Sequence, residues 1–143
     1  MKTATQLGIG KDRNQMNLPL FIGLGVLAWL IGVFFIRFAG TMFFVEGSLW
    51  LVGLYLLTIP VVGLTIESVA RIGKLSRLKT LMAIVIFNFT ATLLDAVAIA
   101  WLPSIYGLPA PANLLAAAWL LWFVGISLYL SFMMARSEIF ASD

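Results

Sequence analysis

Asp95 is the residue whose position most invites chemistry, because it interrupts an otherwise uncharged apolar run from Thr80 to Leu102. A carboxylate placed in hydrocarbon costs about 2.5–3.5 kcal/mol on insertion scales. It must find a partner or take up a proton. Asn88 and Thr92 precede it at spacings that set all three on one face of a helix. Such a stripe could bind an ion or a polar headgroup, or carry protons. It could equally fasten one helix to another by hydrogen bonds. Leu102 closes the run, so Asp95 lies about 10 Å below the helix end at 1.5 Å per residue. Arg37 and Glu46 fall near the same end, and an Asp95–Arg37 pair would keep the carboxylate ionised.

The rest of the composition removes most other chemistry. The chain has no Cys and no His, and only six Asp and Glu. Thiolate metal sites, disulfides, iron–sulfur clusters and cysteine nucleophiles are therefore absent. So is the commonest general base and haem ligand. No nucleophile with an oriented base stands out. The residues point to no enzyme, no metal and no cofactor. Gly8–Ile9–Gly10 lacks the spacing and the Lys–Ser/Thr ending of a phosphate loop.

These residues need elements to position them, and hydropathy supplies the elements. Of 143 residues, 62% are hydrophobic and 10% are charged, against about 25% charged in a typical soluble domain. So short a soluble fold could not hide that much apolar surface. The pattern predicts an all-α membrane protein, a four-transmembrane-helix bundle. Its helices are expected over about 18–37, 47–67, 80–102 and 112–135. They form one membrane domain over 18–136, between a flexible basic tail at 1–17 and a short tail at 137–143. The run from Leu18 to Ile36 is long enough to cross hydrocarbon about 30 Å thick. No small-residue cleavage pattern follows it, so it reads as a retained helix. Pro60 lies within the second span and leaves the Leu56 carbonyl without its helical donor, which predicts a kink. Pro103, Gly107, Pro109 and Pro111 predict a tight loop before the last helix.

Charge then orients the bundle. Every Lys and Arg except Arg37 falls in the N-terminal tail, in the loop carrying Arg71, Lys74, Arg77 and Lys79, or at Arg136. The positive-inside rule makes that side cytoplasmic, with both termini facing in. The setting expected is a bacterial cytoplasmic (inner) membrane. The net charge of +3 is placed for anionic lipid headgroups rather than nucleic acid, which is not an expected partner. Glu67 and Arg71, four apart, are expected to pair at the interface.

Tryptophans 50, 101, 119 and 122, with Tyr106, would lie in the outer half of the bilayer. They read as an interfacial belt, or as the wall of a pocket above Asp95 for a lipid, quinone or pigment. Gly25, Ala28 and Gly32 share a face of the first helix and invite close helix packing.

Several short stretches, taken in order, resemble a known family. They are Trp29–Leu30–Ile31–Gly32, Phe35–Ile36–Arg37–Phe38–Ala39–Gly40, Leu57–Thr58–Ile59–Pro60, Leu93–Leu94–Asp95–Ala96, Pro103 with Tyr106, and Ala118–Trp119–Leu120–Leu121–Trp122. Together they resemble an uncharacterised family of small bacterial four-helix membrane proteins, the domain of unknown function 5367, over roughly residues 18–134. The family's aromatic-to-Tyr-Gly stretch stands here as Phe123–Val124–Gly125. The resemblance implies topology and no activity. Two functions fit the residues. One is an accessory or scaffolding subunit packing in a larger membrane assembly, with lipid and other subunits or itself as partners. The alternative is a small homodimeric transporter or channel using Asp95 as an intramembrane cation or proton site.

Overall fold

A computed structural model describes residues 16–140. The expected N-terminal tail up to residue 15, and residues 141–143, lie outside the described residues. The chain forms four long helices, α1 (Leu18–Phe43), α2 (Leu49–Gly73), α3 (Arg77–Trp101) and α4 (Ala110–Ile139), with a 3-10 turn at Pro103–Tyr106. All four are long and apolar enough to cross a membrane. The protein is an integral membrane protein of all-α class.

The helices outrun the uncharged stretches that announce them. α1 continues six residues past Arg37 to Phe43, and α2 continues through Glu67 and Arg71 to Gly73. α3 begins at Arg77, before the apolar run itself. A charge ends the comfortable hydrocarbon depth but not the backbone hydrogen-bond ladder, and long basic side chains reach back to polar ground.

Local chemistry sets the ends. Asn17 accepts a hydrogen bond from the Leu20 N–H, and Ser48 one from the Trp50 N–H, satisfying donors that a helix start leaves free. Lys74 closes α2 in the left-handed conformation, at φ 49°. Gly107 ends the 3-10 turn at φ 68°, a conformation glycine adopts without steric cost. At the start of α3, Glu138 from the last turn of α4 accepts from the N–H groups of Arg77 (3.2 Å) and Leu78 (2.9 Å). This carboxylate bridges two helix ends and meets the positive end of the α3 dipole. Glu138→Gln is expected to lower stability by about 1 kcal/mol. The thermal midpoint of the purified protein, reduced by about 3 °C, checks it.

Packing runs in series. α1 lies mainly against α3, α3 against α4, and α4 against α2, whereas α1 and α2 barely touch although they are consecutive. Two apolar cores result. One gathers Ile36, Phe44, Leu54, Ala98 and Tyr106 near the 3-10 turn. The other gathers Phe21, Val62, Ile66, Ala83 and Ile84 toward the basic loop. The small-residue face of α1 divides its work between neighbours. Gly25 is buried against α3, while Gly32 has open space where a side chain would stand. The gap left between α1 and α2 is the site described next.

Candidate functional site

The seam between α1 and α2 is a cleft of about 580 Å³ whose lining comes from all four helices. That volume lies within the range of about 300–1,000 Å³ typical of small-molecule pockets. Along α2 the lining extends from Leu54 to Ile72, about 27 Å at the helical rise. The cleft thus runs nearly the thickness of a bilayer core. Its walls are apolar apart from a few groups, of which Asp95 and Asn88 on α3 and Thr58 on α2 matter most.

Asp95 is half-buried in this lining. Its Oδ1 accepts a 2.6 Å hydrogen bond from the Tyr106 hydroxyl. Pro103 starts a turn directly after α3, and that turn folds Tyr106 back until it is only 2% exposed. Burial first, and then the adjoining carboxylate, hold the Tyr106 phenol above its ordinary pKa. It stays protonated, and therefore a donor, at physiological pH. The indole N–H of Trp29 on α1, which also lines the cleft, is buried and closes no hydrogen bond. One neutral donor, the Tyr106 hydroxyl, holds the carboxylate.

The expected Asp95–Arg37 pair does not form. Arg37 Nη1 donates instead to the backbone carbonyls of Ser104 (3.3 Å) and Ile105 (3.1 Å), fastening the 3-10 turn to α1. Backbone carbonyls presented by a turn at the helix end give the guanidinium an exposed anchorage, so it need not enter the bundle to reach Asp95. Glu46 is exposed in the α1–α2 turn and takes no part in the site. Arg71 pairs with Glu67, at 2.6 Å and well exposed on both sides. At such exposure it contributes little.

The polar stripe of α3 splits by role. Asn88, 3% exposed, donates from Nδ2 to the Ser127 hydroxyl of α4 at 2.6 Å. Ser127 passes its own proton to the Val124 carbonyl. This is a fastening between two helices, worth about 0.6 kcal/mol on average in membrane proteins. Thr92 is half-buried but absent from the cleft wall, where Ala91 stands between Asn88 and Asp95.

A second fastening escaped the residue pattern. Trp119 Nε1 donates to Thr58 Oγ1 at 2.8 Å, and Thr58 donates in turn to the Leu54 carbonyl. Trp122 Nε1 reaches the Tyr55 carbonyl at 3.2 Å. Trp50 and Trp101 are largely exposed, as belt residues should be, whereas Trp119 turns into the cleft beside Phe35 and Phe123. Pro60 sits within α2 on an exposed face. Arg71, Lys74, Arg77 and Lys79 all lie at the α2–α3 turn, remote in sequence and along the helices from Asp95.

Residues 42–138 match a Family of unknown function (DUF5367). The chain belongs to that family. No curated protein and no solved structure matches it. For this DUF5367 chain the matched region takes in Asp95, Asn88, Thr58 and Tyr106, whereas Trp29 and Arg37 precede it. The stretches on α1 that contributed to the resemblance therefore stand outside the match. Among the described residues no group of three or more Asp or Glu converges to hold a metal ion.

Proposed function

We propose that the chain is a small transporter-like protein of a bacterial cytoplasmic membrane, binding a proton or cation at Asp95 in the α1–α2 cleft. Both termini and the basic loop face the cytoplasm in this reading, where Arg71, Lys74, Arg77 and Lys79 meet anionic headgroups. The observation that carries it is how Asp95 is held. Its hydrogen bond comes from Tyr106, in the turn that directly follows its own helix, so it ties no two spanning helices together. Asn88 does that work, through Ser127. A carboxylate that is costly to bury, that lines an open cleft, and that no cation among the described residues neutralises is placed for an incoming charge.

Four helices rarely enclose a pathway alone, so a homodimer is the expected form. Pro60 supplies a point where α2 can flex, because the Leu56 carbonyl lacks its helical donor. A role as an accessory or scaffolding subunit would draw on exposed apolar faces, and these serve lipid and partner helices alike. The cleft, not the outer surface, is the feature that favours the transport reading.

The test is flux in liposomes containing the purified protein and a pH-sensitive dye, under an imposed inside-negative potential. Proton entry above that of protein-free liposomes is expected, falling by about tenfold or more in Asp95→Asn. Entry that the substitution leaves unchanged would remove Asp95 as the coupling site.

A further inference from the structure

The cleft narrows the kind of cation it can take. Among the described residues of its lining, Asp95 alone carries a formal charge. Apart from the Trp29 indole N–H, the other polar lining residues each make a hydrogen bond. Asn88 is bound to Ser127 and Thr58 to Trp119 and the Leu54 carbonyl, while Thr65 and Ser68 return their hydroxyl protons to the carbonyls of Val61 and Leu64. An inorganic cation needs several oxygen ligands to replace its water, and the lining offers it a single carboxylate.

What the cleft does provide is aromatic surface. Trp29, Phe35, Phe87, Trp119 and Phe123 all contribute to the lining. Trp119 links two of the others, with ring centroids 5.4 Å from Phe35 and 6.5 Å from Phe123. Aromatic faces carry partial negative charge and attract cations, most strongly where water is excluded. A carboxylate in the same lining rejects an anion of the same shape. The seam through which a ligand reaches them lies between α1 and α2, the two helices that barely touch.

We infer that the α1–α2 cleft is a binding site for a lipophilic organic cation arriving from the bilayer, its charge at Asp95 and its apolar groups against Phe35, Trp119 and Phe123. This rests on the reading of Asp95 as a cation site and names its ligand class. A cation whose charge is shielded by hydrocarbon partitions into the membrane with little bound water. It therefore reaches Asp95 without the dehydration that bars a metal ion.

Equilibrium binding of tetraphenylphosphonium to the purified full-length protein, followed by tryptophan fluorescence, tests this. Tetraphenylborate, of like shape and opposite charge, is the control. Saturable binding of the phosphonium and none of the borate is expected. Asp95→Asn should weaken phosphonium binding by about tenfold or more. Phe123→Leu should weaken it several-fold while leaving Asp95 and its Tyr106 bond in place, and it serves if the Asn variant fails to fold. Equal binding of both ions, or phosphonium binding indifferent to both substitutions, overturns the inference. Asp95-dependent proton entry without phosphonium binding also overturns it, and leaves the proton site standing. Phosphonium binding that needs Asp95, without Asp95-dependent flux, upholds the ligand class and defeats transport.

Discussion

Gly25→Leu is expected to pry α1 from α3 and lower the stability of the protein by about 3 kcal/mol or more. A Cβ added at Gly25 would stand 2.7 Å from the Phe87 carbonyl oxygen and 2.9 Å from the Thr90 Cβ. The first neighbour is backbone, so relief requires moving α3 itself and not merely turning a side chain. That movement would disturb Asn88, whose neighbour Phe87 bears the contact, and with it the bond to Ser127. Alanine at the same place gains up to about 1 kcal/mol in helix propensity and loses about 1–3 kcal/mol to overpacking, so the net effect is destabilising but smaller. Gly32→Ala supplies the contrast, since nothing lies within 4 Å of its added carbon. There the propensity gain stands alone, and stability should hold or rise slightly. Denaturant-induced unfolding in detergent, read for all three variants, decides the matter. A Gly25→Leu protein with an unchanged midpoint would mean that α1 and α3 do not approach as closely as described.

That contrast marks where residue patterns stop being informative. The four spans were legible because a long apolar run needs no tertiary information to declare itself. Their ends were less so, since a charge marks the limit of hydrocarbon depth and not of the helix: α1 runs six residues past Arg37, which turns its guanidinium to the Ser104 and Ile105 carbonyls. Asp95 was visible as a lone charge in hydrocarbon. Charge alone points to Arg37 as its partner, and the structure supplies a neutral one, Tyr106. The clue lay in Pro103 and Gly107, which bracket a turn short enough to fold Tyr106 back onto α3. Spacing put Thr92 beside Asn88 and Asp95, yet the cleft wall takes Ala91. Residues 91 and 92 differ by one helical step, and only the placement of neighbouring helices chooses between them. The parting of α1 from α2 left no trace in composition, because lipid-facing and helix-facing surfaces of a membrane bundle are about equally apolar. For the same reason nothing singled out Ser127 or Thr58 as the acceptors of Asn88 and Trp119.

Replacing Asp95 by leucine should separate stability from function in a way that a fastening residue could not. Loss of the carboxylate removes a burden of about 2.5–3.5 kcal/mol. It also strands the Tyr106 hydroxyl, which is buried and donates to Asp95, and an unsatisfied buried donor costs about 1–3 kcal/mol. The single variant is therefore expected near wild-type stability. Adding Tyr106→Phe removes the stranded group, and the double variant should equal or exceed the wild type, by up to about 3 kcal/mol. Both should lack the proton entry and cation binding that depend on Asp95. A residue retained at a cost in stability, whose removal improves the fold and abolishes activity, is behaving as a site. Were Asp95 and Tyr106 instead a clasp holding the 3-10 turn to the bundle, the double variant would unfold earlier than the wild type. A loss beyond about 1 kcal/mol in that variant would assign the pair to structure and leave the cleft without its charge-binding role.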